Sequence, residues 1–221
     1  MILELNQIGF SYGKKPILEN VNLSLDAGQC AVIAGQNGCG KTTLLSLIAG
    51  IYKPSSGSVN VQGKIGYVPQ NPALIADATV GENLRFFADV AKCDIPKELP
   101  FDVSSFLKKR VSRISGGMKK QVSIACAMIG DPSVILLDEP CSALDIRFKN
   151  DLLDQVSRWK NEGKAIVYVG HDPHEITSIF DSLTFLGQTC KQYSRDELVD
   201  ELSDASRFVN FFAKHLTDPV A

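Results

Sequence analysis

Eight consecutive residues near the start of the chain have the types and spacing needed to hold a chain of phosphates: GQNGCGKT, residues 35–42. They fit the pattern G-x-x-x-x-G-K-[ST] of the phosphate-binding P-loop. Glycines let the backbone curl, so that several N–H groups point at one phosphate chain. In this motif a lysine reaches the β and γ phosphates, and a hydroxyl holds Mg²⁺. The pattern therefore predicts that Lys41 binds phosphate and that Thr42 is a magnesium ligand.

The same loop supplies the other candidate contacts to a nucleotide. A bound phosphate chain would meet the loop backbone and the first turn of the helix that follows. Cys39 lies inside the loop, so covalent modification of its thiol is expected to block nucleotide binding. The candidate binding residues are Gly35, Asn37, Gly38, Cys39, Gly40, Lys41, Thr42 and Thr43.

The loop stands between a predicted strand and a predicted helix, which is the context that its chemistry requires. CAVIAG, residues 30–35, is a short apolar run typical of a buried strand. TTLLSLIAG predicts a helix that ends at Gly50. The N-terminus of that helix would add a partial positive charge beside the phosphates.

A second apolar run, SVILLDEP at residues 133–140, ends in two acids and has the Walker B pattern. A buried parallel strand presents the side chains at its carboxyl end to a ligand. We expect Asp138 to support Mg²⁺ and Glu139 to orient or deprotonate the attacking water.

Two further strand ends carry polar side chains. KIGYVPQ predicts a buried strand ending at Gln70, a candidate for contact with Mg²⁺ and water. KAIVYVGHD predicts a strand that ends at His171, whose imidazole could contact a γ-phosphate. An exposed loop histidine is the plainer interpretation, but the position of His171 after four other nucleotide-site candidates favours the phosphate contact.

The N-terminal residues predict an antiparallel hairpin beside the nucleotide core. ILELNQIGFSYG alternates apolar and polar residues up to Gly13, and residues 17–29 alternate again, so that Ile17, Val21, Leu23 and Leu25 could share a face. Tyr12 lies near the tip. Its ring suits stacking on an adenine, and a half-buried strand tyrosine is an equal alternative.

Residues 71–130 predict a helical insert between strands of the core. VGENLRFFADVAK has Leu84, Phe87 and Ala91 at helical spacing, FDVSSFLKKRV begins another helix-like segment, and SGGMKKQVSIACAMIGD is a helix with SGG at its N-terminus. A basic cluster in this insert indicates a solvated face or, alternatively, contact with anionic lipid or phosphate. It comprises Lys108, Lys109, Arg110, Arg113, Lys119 and Lys120.

Composition is that of a soluble globular protein: 221 residues, 44% hydrophobic, 22% charged and a formal net charge of −2. The charge gives no reason to expect nucleic acid. No apolar stretch approaches the ~20 residues that cross a bilayer, and the N-terminus does not have the pattern of a signal peptide, so we expect a cytoplasmic protein. The six cysteines include no C-x-x-C pair, and the chain has only three histidines. We therefore do not expect a zinc site.

Taken together, these stretches resemble the ATP-binding subunit of ABC transporters over about residues 2–190. ISGGMKKQ at 114–121 looks like the signature motif, and a generic P-loop ATPase or kinase does not carry the series Walker A, Gln70, signature, DEP, SALD and His171. The resemblance implies an α/β fold with a P-loop (RecA-like), mostly parallel core sheet, an N-terminal antiparallel β subdomain and an inserted α-helical subdomain. The ATP-binding core would span about 1–70 and 131–190, the helical signature subdomain about 71–130, and an amphipathic helical tail, packed on the core or on a partner, about 191–221.

The resemblance also implies that the site is shared between two chains. Two such domains pair head to tail, as a homodimer or a heterodimer. Each ATP is then held by the Walker motifs of one chain and by Ser115, Gly116 and Gly117 of the other. The backbone of SGG at a helix N-terminus suits a γ-phosphate for the same reason as the P-loop does.

Other residues match roles that belong to the family. The implied roles are adenine stacking by Tyr12, Mg²⁺ sensing and coupling to the membrane subunit by Gln70, bridging of the two chains by Asp145, γ-phosphate switching by His171 and base catalysis by Glu139. Departures from the family pattern are Ile114 and Met118 in the signature, Cys126 where many relatives have Arg, and Cys141 where many have Thr.

The expected function is that of an ATPase that uses ATP and Mg²⁺ to power a separate integral membrane permease, at the cytoplasmic face of the membrane. SGGMK followed by IGDP leans towards exporter-type members. A soluble ABC-type ATPase for cofactor assembly or ribosome work is the alternative. A small-molecule P-loop kinase is disfavoured by the SGG and GHD motifs, and a non-hydrolysing binding module is disfavoured by the presence of Lys41, Asp138, Glu139 and His171.

Overall fold

The first sheet of the computed structural model, which describes residues 1–142, 144–187 and 190–217, is antiparallel. Strand β1 (Leu3–Tyr12) lies between β2 (Lys15–Leu25) and β4 (Ser56–Val61), in the order β2-β1-β4. The predicted hairpin is therefore present, and β4 adds a third strand to it.

The predicted apolar face of β2 is wrong at its beginning. Ile17 is only half-buried, and Leu18 beside it is buried instead. Between Ile8 and Phe10 the register with β1 shifts, and Asn20 on β2 has a left-handed φ of 51°. One extra residue on β2 therefore forms a bulge, which interrupts the alternation that the sequence predicts.

The second sheet is the core of the nucleotide-binding fold. Its order is β5-β6-β7-β3-β8-β9, and all neighbouring strands are parallel except β8 and β9. This confirms the predicted α/β class with a mostly parallel sheet. The strands are β3 (Cys30–Ala34), β5 (Ile65–Val68), β6 (Val134–Asp138), β7 (Ala165–Val169), β8 (Ser182–Phe185) and β9 (Lys191–Ser194).

Seven α-helices accompany the strands of the described residues. They are α1 (Lys41–Ile48), α2 (Val80–Ala91), α3 (Gly116–Met128), α4 (Ile146–Asn161), α5 (Pro173–Ile179), α6 (Val199–Leu202) and α7 (Ala205–Thr217).

Both faces of the core sheet are covered. Alternate residues of β3 enter two different apolar clusters: Val32 packs with α4, α5 and α7, whereas Ala31 packs with α1 and the antiparallel sheet. Every residue of β3, β6 and β7 is buried, which explains why each strand reads as a continuous apolar run.

The insert between β5 and β6 has its own apolar cluster, formed by α2, α3 and the segment between them. The helix expected in FDVSSFLKKRV is absent; the residues form 3₁₀ turns at Val103–Phe106 and Val111–Arg113. The physical reason is a competing set of backbone bonds. The N–H of Val80 donates to the carbonyl of Lys109, and Thr79 and Arg110 form a β-bridge, so these backbone groups are not available to a helix.

The C-terminal residues pack on the core. The sequence leaves open whether the tail packs on the core or on a partner. Phe208 and Phe212 on α7 are each 1% exposed, and their rings lie against Phe180 and Phe185. Strand β9 pairs with β8 in the core sheet, at the beginning of the segment 191–221 that is expected to form the tail, and residues 218–221 lie outside the described residues. The boundaries of the subdomains stay a prediction. Within the described ranges, no helix is long and apolar enough to cross a membrane.

The packing of α7 predicts a large stability difference between two neighbouring positions. Phe212→Ala should lower the free energy of unfolding by about 3–5 kcal/mol, because it leaves a cavity in the core. The control Val209→Ala, at a position that is 37% exposed, should lower it by less than about 1 kcal/mol. Urea unfolding followed by circular dichroism measures both. Equal losses for the two variants would show that α7 is not seated on the core.

Candidate active site

The phosphate loop between β3 and α1 is closed by its own lysine. The ammonium Nζ of Lys41 donates to the carbonyl oxygens of Gly35 at 2.8 Å and Gln36 at 3.1 Å. Gly40 has a φ of 108°, and a Cβ there would lie 2.9 Å from side-chain carbons of both Ile17 and Leu18. Glycine is required at position 40 for its conformation and for close contact with β2. The curled loop thus sits at the N-terminus of α1, as the motif predicts.

Thr42 and Asp138, the two first candidates for Mg²⁺, are in direct contact. The hydroxyl of Thr42 donates to Oδ2 of Asp138 at 2.8 Å. Asp138 ends β6 and is 1% exposed. Burial raises the pKa of its carboxyl above the usual range, the hydrogen bond from Thr42 opposes that rise, and the neighbouring Glu139 adds to it. A hydroxyl and a carboxylate side by side are the oxygen ligands that Mg²⁺ takes in proteins.

Tyr67 is a neighbour of Asp138 that the sequence does not reveal. Its hydroxyl donates to the same oxygen, Oδ2 of Asp138, at 3.5 Å. Burial, followed by the charge of Asp138, raises the pKa of Tyr67 to about 12. The phenol therefore stays protonated and remains a donor to the carboxylate at neutral pH. The one feature that could have indicated this contact is the position of Tyr67 on β5, the strand beside β6.

Gln70 and Glu139 meet, as expected of two residues assigned to water chemistry. Gln70 follows β5 by two residues, and its Nε2 donates to Oε2 of Glu139 at 2.9 Å. Glu139 has a left-handed φ of 43°, which is uncommon for a residue with a side chain. Its backbone N–H donates to the carbonyl of Val169 at 3.0 Å. Both the strained backbone and the partner on β7 hold the carboxylate in one place.

Lys120 lies behind this pair, and its assignment to an exposed basic cluster is wrong. It is 4% exposed, and its Nζ donates to the carbonyl oxygens of Pro69 at 3.1 Å and Gln70 at 2.8 Å. Burial lowers the pKa of Lys120, and the charge of Asp138 opposes the shift. The four basic residues between 108 and 113 are exposed. Helical spacing could have identified the exception, because Lys120 is four residues before the buried Ile124.

His171 and Glu139 line the same cavity, which has a volume of about 380 Å³. His171 is exposed, two residues beyond the end of β7. Behind it, the buried Glu175 accepts a hydrogen bond from the hydroxyl of Tyr168 at 2.8 Å and pairs with Lys149 at 2.8 Å. These contacts, which sequence reasoning missed, join α4 and α5 to β7 and fix the loop that carries His171.

Tyr12 stands beside the phosphate loop. Its hydroxyl is 3.4 Å from Oγ1 of Thr43, and its ring is perpendicular to those of Phe10 and Tyr52 at centroid distances of 4.9 and 5.9 Å. The side chain is 48% exposed. Tyr12 is also the last residue of β1, so both interpretations fit this geometry and stacking on an adenine stays a prediction.

The signature residues are not brought to this site. Ser115 is the N-cap of α3, and its hydroxyl accepts from the N–H of Met118 at 3.2 Å. Among the described residues, no hydrogen bond joins residues 115–117 to the phosphate loop. A Cβ on Gly116 would meet no described atom within 4 Å, and one on Gly117 would meet only Leu144, at 3.7 Å. Neither glycine has a positive φ, so the fold of the chain itself does not require glycine there.

Asp145 has a local role in the structure. Its Oδ1 accepts from the N–H of Phe148 at 2.9 Å and caps α4. Ala143, in the SALD segment that includes Asp145, lies outside the described residues. The bridging of two chains by Asp145 stays a prediction.

Comparison with known proteins gives one family. The family model described as "ABC transporter" matches residues 18–142. The chain is 32% identical over 204 residues to the taurine import ATP-binding protein TauB of Escherichia coli O157:H7, covering 84% of this chain and 79% of that protein. It is also 32% identical over 209 residues to the spermidine/putrescine import ATP-binding protein PotA of Bacteroides fragilis (strain YCH46), covering 85% of this chain. The chain spans 45% of the length of that second relative.

A solved structure extends the likeness to the whole fold. It is described as an ATP binding subunit of an ABC transporter, and it superposes with a TM-score of 0.86 over 99% of this chain and 100% of that one, at 24% identity. Both sequence relatives are named import proteins. The lean towards exporter-type members therefore stays a prediction that these relatives do not support.

The position of Cys39 predicts a pH-dependent inactivation. A Cβ on Gly35 would lie 2.7 Å from Sγ of Cys39, so an added alkyl group would displace the loop. Burial raises the pKa of the Cys39 thiol, with the charge of Lys41 opposing. Because the thiolate is the reactive form, alkylation by N-ethylmaleimide should slow about tenfold for each unit of pH below that pKa.

Complete alkylation of Cys39, verified by mass spectrometry, should abolish binding of a fluorescent ATP analogue. The control is Cys39→Ala, in which the same reagent should leave the affinity of that variant unchanged. Retention of affinity by the fully modified native chain would contradict the prediction.

Proposed function

The chain belongs to the ABC transporter family, and from this premise we propose that it binds and hydrolyses ATP as one of a pair of chains and thereby drives a separate membrane permease. The observation that carries the proposal is the continuous set of contacts at one edge of the core sheet. Thr42 bonds to Asp138, and Gln70 bonds to Glu139, the residue that follows Asp138.

ATP is bound by the phosphate loop, by the N-terminus of α1 and by the aromatic ring at the end of β1. The N–H groups of the loop and of the N-terminus of α1 donate hydrogen bonds to the negatively charged phosphates, and Lys41 provides the cation that reaches the β and γ groups. Tyr12 stacks on the adenine. Because its ring is held by Phe10 and Tyr52, little side-chain freedom is lost on stacking.

Thr42 and Asp138, with the amide of Gln70 nearby, are the residues that would hold Mg²⁺. Their contact at 2.8 Å joins a hydroxyl and a carboxylate, a donor set that suits this ion. Bound there, Mg²⁺ would neutralise charge that develops between the β and γ phosphates.

Glu139 acts as the base that accepts a proton from the attacking water. Gln70 keeps its carboxylate in position through the bond at 2.9 Å. His171, on the cavity that Glu139 also lines, donates a hydrogen bond to the γ-phosphate. Glu139 and His171 each follow a strand that is buried throughout, so little reorganisation accompanies the reaction.

A second chain completes the site. Among the described residues, no atom lies within 4 Å of the position that a Cβ on Gly116 would take, which leaves a space at the N-terminus of α3, and a helix N-terminus is a site for anions. We assign this space to the γ-phosphate of an ATP bound by the partner chain, either a second copy or a related chain. ATP then closes the pair because it contacts both chains, and loss of the γ-phosphate reopens it.

The permease is a separate integral membrane protein, and the chain works at the cytoplasmic face of the membrane. The support is the pair of relatives, which are named import ATP-binding proteins. Co-purification of the native chain with a multi-span membrane protein tests this part of the proposal. An active ATPase that purifies without one would favour the soluble, non-transport alternative.

Replacement of the proposed base separates binding from turnover. Glu139→Gln keeps the size of the side chain and an oxygen that can accept the hydrogen bond from Gln70, but it cannot accept a proton. Turnover should fall at least about 100-fold, while ATP affinity is retained and ATP traps a dimer that elutes early in size-exclusion chromatography. The control Glu162→Gln, at the exposed end of α4, should hydrolyse ATP at the native rate. Normal turnover by Glu139→Gln would refute the assignment of the base.

A further inference from the structure

We propose that Lys120 is a positioning residue that couples the two ATP sites of the paired chains, because it ties α3 to the loop that carries Gln70. The inference rests on the proposed function and adds a residue and a connection to it. It follows from the geometry around one buried ammonium group.

The ammonium of Lys120 joins two elements that are distant in sequence. Nζ donates to the backbone carbonyls of Pro69 and Gln70 at 3.1 and 2.8 Å. The side chain of Gln70 in turn donates to Glu139 at 2.9 Å. A continuous series of hydrogen bonds therefore runs from α3 through the loop to the proposed base.

The burial of Lys120 shows that this tie is well defined. With 4% of the residue exposed, the ammonium has little access to water, and a buried cation is costly unless its donors are satisfied. Hydrogen bonds from charged donors are stronger than those between neutral groups. The loop at Pro69 and Gln70 is thus held to α3 at a specific place.

Helix α3 is in close contact with β5 at its other end. A Cβ on Gly66 of β5 would lie 2.5 Å from the carbonyl oxygen of Ala127. The helix is therefore seated against the strand at its C-terminal end and against the following loop at Lys120. A displacement of the N-terminus of α3 changes the position of Lys120, which lies five residues or about 7.5 Å along the axis from Ser115.

The two ends of this connection belong to different ATP molecules in the paired chains. Ser115 and Gly116 face the ATP that the partner holds, whereas Gln70 and Glu139 serve the ATP of their own chain. Engagement of the partner's γ-phosphate by α3 thus sets the position of the Gln70 side chain, and with it that of Glu139. Occupancy of one site then accelerates hydrolysis at the other without being required for it, which appears as positive cooperativity in ATP.

The test is the ATPase rate of the full chain against ATP concentration for Lys120→Met and for the control Lys119→Met. Methionine preserves an unbranched side chain and removes the donors. Lys120→Met should lower kcat about tenfold, leave KM within about twofold and reduce the Hill coefficient from its native value towards 1. Lys119→Met removes the same charge from the adjacent residue and should leave all three quantities within about twofold of native.

A double-mutant cycle with Gln70→Ala distinguishes positioning from a general loss of stability. If Lys120 acts through Gln70, Lys120→Met should change kcat by less than about twofold in the Gln70→Ala background. A merely structural lesion would lower kcat by the same factor in both backgrounds and would leave the Hill coefficient at its native value. Should Lys120→Met be insoluble, Lys120→Gln replaces it, since its shorter amide cannot reach both carbonyls.

The inference is overturned if the two methionine variants behave alike, or if the effects of Lys120→Met and Gln70→Ala multiply. Its failure is distinguishable from failure of the proposed function. An inactive Glu139→Gln together with a native Lys120→Met would refute the coupling alone, whereas an active Glu139→Gln would refute the assignment of the base.

Discussion

The site depends on the parallel pairing of β3, β5, β6 and β7. Because parallel strands present their carboxyl ends at one edge, the loops that follow these four strands lie together although they are up to 136 residues apart in sequence, from Gly35 to His171. The contact between Thr42 and Asp138 joins the start of α1, which follows β3, to the end of β6, and that between Gln70 and Glu139 joins the end of β5 to the same end of β6. The polar residues at this edge can act on one ligand only because the strands hold their side chains side by side.

The N-termini of α1 and α3 differ in the protein groups that surround them. The N-terminus of α1 is closed by the curled loop and by Lys41, whose ammonium bonds to the loop carbonyls. The N-terminus of α3 is open as far as the described residues show: a Cβ on Gly116 would meet none of their atoms within 4 Å, and one on Gly117 would meet Leu144 at 3.7 Å. An open helix N-terminus with glycines that the fold does not need is half of an anion site. This asymmetry is the physical basis for the proposed pairing of chains, and Lys120 connects the open half to the closed one.

Much of the fold and of the candidate site was predictable because the signals are local. The phosphate loop, the acidic end of β6 and the polar end of β7 each follow a short apolar run that is buried on both faces, whereas β5, which precedes Gln70, is fully buried on one face only. The sequence-based predictions fail where the structure of a residue is determined by partners that are distant in sequence. Ile17 is displaced by a bulge set by pairing with β1, residues 107–110 bond to the start of α2 rather than form a helix, and Lys120 is buried because two loop carbonyls receive its donors. No local pattern contains these partners, although helical spacing marks the position of Lys120 as buried.

Mixing two inactive variants tests the shared site most directly. Lys41→Ala removes the phosphate-binding cation, and Gly116→Val places a side chain in the open space before α3, where no described atom of its own chain lies within 4 Å of the new Cβ. Each variant alone should be inactive, because both sites of either dimer are then incomplete. An equimolar mixture should recover up to about a quarter of native ATPase activity, since half of the pairs are mixed and each has one complete site. Native activity of Gly116→Val alone, or a mixture that stays inactive although the chains pair, would contradict the account.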